Sequence, residues 1–145
     1  MKLILMMATL IGLVSCSGDN LEEQITMMEM KKLDTALTKQ LGKSKFTKSF
    51  VEYISDNTEI KVLSVNKEKT SAEIELSTLK QDVIGGIMTM VMLGGMSKDS
   101  TVDDVFNKLT DAQRDSLKAE KKSTKKGTCT LEQKDGSTVV KNCKI

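Results

Sequence analysis

The sequence predicts an α+β domain: N-terminal helices packed on a four-stranded, antiparallel sheet whose strands come as two hairpins separated by helices. Three observations carry this expectation. Two strand–turn–strand phrases stand far apart, at residues 59–77 and 128–143. A long stretch with apolar residues every three to five positions precedes the first phrase, and two capped helix starts lie between them.

The first helix is expected over residues 21–41, carried by Leu21, Ile25, Met28, Leu33, Leu37 and Leu41, with Gly42 closing it. A shorter helix over residues 47–54 places Phe50, Val51 and Ile54 on one side, and Asp56-Asn57 breaks it. The run from Glu59 to Val65 then leads through Asn66-Lys67-Glu68-Lys69 into a second strand. There Ala72, Ile74 and Leu76 alternate with polar residues, which predicts one buried face and one wet face.

Residues 83–96 are almost wholly apolar, bracketed by glycine pairs, and hold four of the chain's ten methionines. One reading is a buried helix or loop completing the core. A second is a hydrophobic flap using Ile87, Met88, Met90, Val91, Met92 and Met96 to touch lipid, a partner or an apolar ligand, because methionine adapts to irregular surfaces. A third sets Met88, Met90 and Met92 as thioether ligands for Cu(I) or Ag(I), which requires an extended segment to bring them to one side.

Ser100-Thr101-Val102-Asp103 has the form of a capping box opening a helix with Val102, Val105, Phe106 and Leu109 on one stripe. Thr110-Asp111-Ala112-Gln113 repeats the signal and starts another helix, through Ala119. Lys118, Lys121, Lys122, Lys125 and Lys126 read as its solvated, basic end, with contact to anionic headgroups as the functional version.

Composition narrows the function classes. The chain has 145 residues, a formal charge of +2, three Phe, one Tyr and no Trp, so its core must be aliphatic and its surface gives no nucleic-acid signal. Histidine is absent, which removes Ser-His-Asp and Cys-His catalysis and ordinary His-containing zinc sites. No spacing singles out two of the twenty carboxylates as an acid/base pair, so a non-enzyme is expected, with no cofactor and no metal site.

At the N-terminus, Met1-Lys2 forms a minimal positive segment, residues 3–13 form a short apolar run, and Leu13-Val14-Ser15-Cys16 follows. This tetrad resembles the lipobox of bacterial lipoproteins. The resemblance implies cleavage before Cys16, diacylglycerol on its thiol and acylation of the new amine. Residues 1–15 are then the signal peptide, 16–20 a tether carrying lipidated Cys16, and 21–145 a single domain. Ser17, where an aspartate tends to retain lipoproteins in the inner membrane, implies an exported protein anchored to the outer membrane and facing the periplasm.

With Cys16 assigned to lipid, Cys129 and Cys143 remain as an even pair in an oxidising compartment, so a disulfide is expected, with a redox-active or metal-binding pair as its rival. They lie on strands flanking Asp135-Gly136. A two-residue turn pairs Lys134 with Ser137 and puts Cys129 opposite Asn142, leaving Cys143 on the other face. A three-residue loop or one bulge restores both sulfurs to the same face.

The strand phrase from Ile60 to Leu76 and the terminal Asp135-Gly136 hairpin are similar to those of small lipoproteins with cystatin-like or NTF2-like domains, which implies helices filling the concave side of a curved sheet. No catalytic residues carry over. The expected role is therefore non-catalytic binding or structure in the envelope, with the membrane, an envelope protein or an apolar ligand as partner. The alternatives are a carboxylate-based enzyme with a cone-shaped pocket, or a methionine-based Cu(I)/Ag(I) binder.

Overall fold

A computed structural model describes residues 20–94, 97–118 and 122–145, with side chains described for all of these except 116–118. The periodic stretch forms α1 (Leu21–Leu41), opened by Asn20, whose side-chain oxygen accepts the Glu23 N–H, and ended by Gly42 at φ 76°. The Gly42 N–H donates to the Thr38 carbonyl at 2.9 Å. Helix α2 (Lys45–Asp56) starts two residues earlier than the apolar pattern suggests because Ser44 is its cap. The Ser44 hydroxyl accepts the Thr47 N–H at 3.0 Å. Thr47 is buried, and its hydroxyl is satisfied by donating to the Gly42 carbonyl at 2.7 Å.

Strands β1 (Glu59–Val65) and β2 (Ser71–Leu79) form the first hairpin; α3 (Gln81–Leu93), α4 (Val102–Asn107) and α5 (Asp111–Lys118) follow; β3 (Lys122–Lys134) and β4 (Ser137–Lys144) form the second. The four strands make one antiparallel sheet in the order β1-β2-β3-β4. This is the expected α+β architecture, with a curved sheet that does not close into a barrel. Both edge strands carry an irregularity, at Leu63 in β1 and Lys141 in β4. A bulge bends its strand and raises the local twist, so the two edges curl toward each other.

Helix α1 occupies the trough this creates, packing against the two edge strands. Glu22 and Gln24 point about 200° apart around the helix. The Glu22 carboxylate accepts the Val62 N–H of β1 at 3.0 Å. Gln24 bonds β4, donating to the Thr138 carbonyl at 3.2 Å and accepting the Val140 N–H at 2.9 Å. Ile25 lies between them, fully buried, against Ile60, Ala72, Ile74, Leu131 and the two cysteines.

A second core lies about 18 Å further along α1, at Leu37. It gathers Phe46, Phe50 and Ile54 of α2, Leu79 at the end of β2, Val83 and Ile87 of α3, and Val102 and Val105 of α4. The Phe46 and Phe50 rings stand 5.5 Å apart, and Tyr53 meets Phe106 at 5.4 Å. One helix therefore joins a sheet core to a helical core.

Two local expectations are corrected. The first capping box sits one residue later: Thr101 is the cap and Asp104, not Asp103, closes it, because this register turns Val102 and Val105 inward. Among the described residues of the basic run, only Lys118 ends a helix. Lys122, Lys125 and Lys126 belong to β3, which begins six residues before the expected Thr128 and pairs Lys122 with Leu79, Lys125 with Leu76 and Lys126 with Glu75. β2 offers a row of backbone partners there, and pairing them outweighs the weak strand preference of lysine. Lys121 lies outside the described residues.

Candidate functional site

The expected disulfide is present between Cys129 and Cys143, whose Cα atoms lie 4.0 Å apart. Its geometry resolves the facing problem by a bulge. Lys134 pairs with Ser137 across a two-residue turn, and Asp135 and Gly136 take the positive φ values of 53° and 80° that such a turn needs. Lys141 is then the extra residue: Thr130 pairs with Asn142, Leu131 with Val140, and Cys129 lands opposite Cys143. Both cysteines are buried beneath α1. The pair is part of the core. Cys16 and the rest of Leu13-Val14-Ser15-Cys16 lie outside the described residues, as does Met96.

The apolar segment is a helix, and the buried-helix reading holds for one side of it. Val83 and Ile87 are buried, and Ile84, Met88, Met90 and Val91 pack half-buried around the helical core. The other side is bare: Met92 is 72% exposed and Leu93 83%. Thr89 spends its hydroxyl on the Gly85 carbonyl at 2.8 Å. On this helix successive methionines of the set are turned about 200° apart, so Met88 and Met90 lie half-buried on opposite flanks of the core-facing side while Met92 is exposed. The extended arrangement required for a three-thioether cluster is not adopted.

Between the C-terminal half of α3 and the α4–α5 corner runs an open groove of about 390 Å³. Its α3 wall is Thr89, Met90, Leu93 and Gly94; the opposite wall is Val105, Leu109, Gln113 and Lys108. The corner is held by its own hydrogen bonds. Thr110 and Gln113 cap each other, the Thr110 N–H donating to the Gln113 carboxamide at 3.0 Å and the Gln113 N–H to the Thr110 hydroxyl at 3.3 Å. Arg114 reaches back to the Phe106 and Leu109 carbonyls at 3.3 and 3.2 Å, satisfying the end of α4. On the inner side, the Ser49 hydroxyl of α2 accepts the Val102 N–H at 3.1 Å. A fixed wall thus faces an apolar helix tip.

A smaller cleft lies between α2 and α4, beside Tyr53, Glu52, Asp56 and Asp103. Burial, and then the Asp103 charge, push the Tyr53 hydroxyl above its ordinary pKa. The Asp104 carboxyl is held below its ordinary value by hydrogen bonds from the Thr101 backbone and side chain. Among the described residues, no group of three Cys, Asp or Glu side chains is placed to hold a metal ion. No helix among them is long and apolar enough to cross a membrane.

The sequence places Ile87, Met88, Met90, Val91 and Met92 in one candidate functional segment. The structure splits that set between core and surface, and it adds Leu93, Leu109 and Gln113 as groove residues. The signal for the added wall was the repeated helix cap at Thr110, which fixes where α4 ends and α5 turns back. Comparison with known proteins adds no function: no family model, curated protein or solved structure matches this chain.

Proposed function

We propose that this chain is a lipid-anchored envelope protein whose domain binds an apolar ligand or partner segment in the α3 groove, without catalysis. The anchor rests on the lipobox Leu13-Val14-Ser15-Cys16, and the outer membrane facing the periplasm is its proposed site through Ser17. The observation that carries the binding role is Leu93, largely exposed in the wall of an apolar groove, with the exposed Met92 beside it in the chain. Large apolar side chains clustered on a surface mark interaction sites far more often than isolated ones do. The non-catalytic reading rests on a chain without histidine, which removes histidine-dependent catalysis, and on carboxylates whose spacing singles out no acid/base pair. A cystatin-like or NTF2-like kinship is proposed only at the level of a curved sheet embracing a helix.

Two measurements test the two halves separately. Membranes from cells making the chain are washed with carbonate; Cys16→Ala should move the protein to the soluble fraction, and retention of that variant would overturn the anchor. Separately, binding of the apolar dye anilinonaphthalene sulfonate to the folded protein should fall at least fivefold in Met90→Ser and Leu93→Ser variants. Unchanged binding in both, with unfolding transitions preserved, would remove the groove as the apolar site.

A further inference from the structure

The β3 strand has an open flank. β2 pairs with it from Ser71 opposite Thr130 to Leu79 opposite Lys122, whereas β4 pairs only as far as Lys144 opposite Thr128. Among the described residues, positions 122–126 therefore have a strand on one side only, and Lys122, Thr124, Lys125 and Lys126 are exposed. The direction of the free backbone groups follows from the ladder. The Leu131 N–H donates to the Thr70 carbonyl, toward β2. Alternate residues of a strand direct their backbone groups to opposite edges, so Lys122, Thr124 and Lys126 aim theirs at the open flank.

We propose that this flank accepts an extended, acidic segment of a partner protein as a fifth strand. Backbone pairing on an exposed edge supplies affinity that does not depend on sequence, and the flanking side chains supply selection. Here the selection is electrostatic: Lys122, Lys125 and Lys126 line the open stretch, and Lys144 stands where β4 stops. Glu75 faces Lys126 from β2, the closed side. A second copy fits poorly, because pairing this edge with itself sets lysine against lysine, and like charges opposite one another destabilise a ladder. Lysines on an edge discourage unselective pairing in the same way. An acidic strand turns that repulsion into attraction. The proposal is independent of the lipid anchor and of the α3 groove.

The test uses the full-length chain in detergent and a fluorescein-labelled peptide of alternating Glu and Val, read by anisotropy. A twin peptide carries N-methyl groups on the residues that would pair. The labelled peptide should bind, with affinity falling as salt is raised. The N-methyl twin should bind at least tenfold more weakly, and Lys122→Glu combined with Lys126→Glu should weaken the parent peptide at least tenfold. No binding would overturn the proposal, and so would equal affinity for the twin, which would mean charge attraction without strand pairing. Capture of the protein by anionic phosphatidylglycerol vesicles, abolished by the same substitutions while the peptide does not bind, would assign the lysines to headgroups instead.

Discussion

The carboxamide of Gln24 pairs with the backbone around Val140 as a neighbouring strand would. Its oxygen accepts the Val140 N–H at 2.9 Å, and its nitrogen donates to the Thr138 carbonyl at 3.2 Å. A helix residue thereby satisfies both polarities of an edge strand, while Glu22 caps Val62 on the opposite edge. The sheet can stay open at both edges here without leaving these groups unpaired.

Gln24→Met, of similar length, should therefore cost about 1–3 kcal/mol, because the half-buried Val140 N–H and Thr138 carbonyl lose their partners. Urea unfolding measures it. Gln40→Met, on an exposed position of the same helix, serves as the control and should change stability by less than about 0.5 kcal/mol. Equal effects would show that the pairing contributes nothing.

The Cys129–Cys143 bridge closes a loop with a sequence separation of 14. Replacing both cysteines with alanine should lower stability by about 3 kcal/mol in the chain-entropy picture, plus the lost packing beneath α1. Because both sulfurs are buried, dithiothreitol should reduce the native bridge slowly, and the rate should rise steeply in sub-denaturing urea. Fast reduction without denaturant would contradict the burial.

Two glycines should respond oppositely to alanine. A Cβ on Gly127 would stand 2.6 Å from the Lys144 carbonyl oxygen and 3.0 Å from the Ile145 Cγ1. The first contact is with backbone, so Gly127→Ala should destabilise by about 1–3 kcal/mol. Gly85 lies within α3 with nothing near its absent Cβ. There Gly85→Ala should stabilise by about 0.5–1 kcal/mol through helix propensity. Thermal melts of the two variants, moving in opposite directions, check both.

Asp104 provides an acid-limb prediction. Its folded pKa is depressed below the ordinary value of 3.8, chiefly by the Thr101 hydrogen bonds. A depressed carboxylate contributes stability above its unfolded pKa, and that contribution fades as pH falls from about 4 through the lower folded value. Asp104→Asn should leave less loss of stability between about pH 4 and pH 2 than the parent shows. Chemical denaturation across that range reads the slope, and identical slopes would remove Asp104 as a contributor.

Local signals placed much of this fold. The three- to five-residue apolar spacing and Gly42 gave α1 its bounds, and alternation around Ala72, Ile74 and Leu76 gave β2 its buried face. The turn arithmetic at Asp135-Gly136 already demanded an irregularity if the cysteines were to meet. The structure assigns it to Lys141. These features were legible because each depends on residues close in the chain.

Features that depend on distant partners were not legible. Residues 122–126 carry no alternation and little strand preference, and they are extended because β2 stands beside them. The α3 segment is apolar all round, so its sequence has no contrast to say which side is core; packing against Phe46, Phe50 and Val105 decides that. The same packing leaves Met92 and Leu93 outside. The sequence by itself determined the elements, their order and the cysteine pairing. Only the tertiary structure decided that α1 would bridge the edges of the sheet, which side of α3 would remain bare and where, among the described residues, β3 would have a strand on one side only, because burial and strand pairing are set by neighbours remote in sequence.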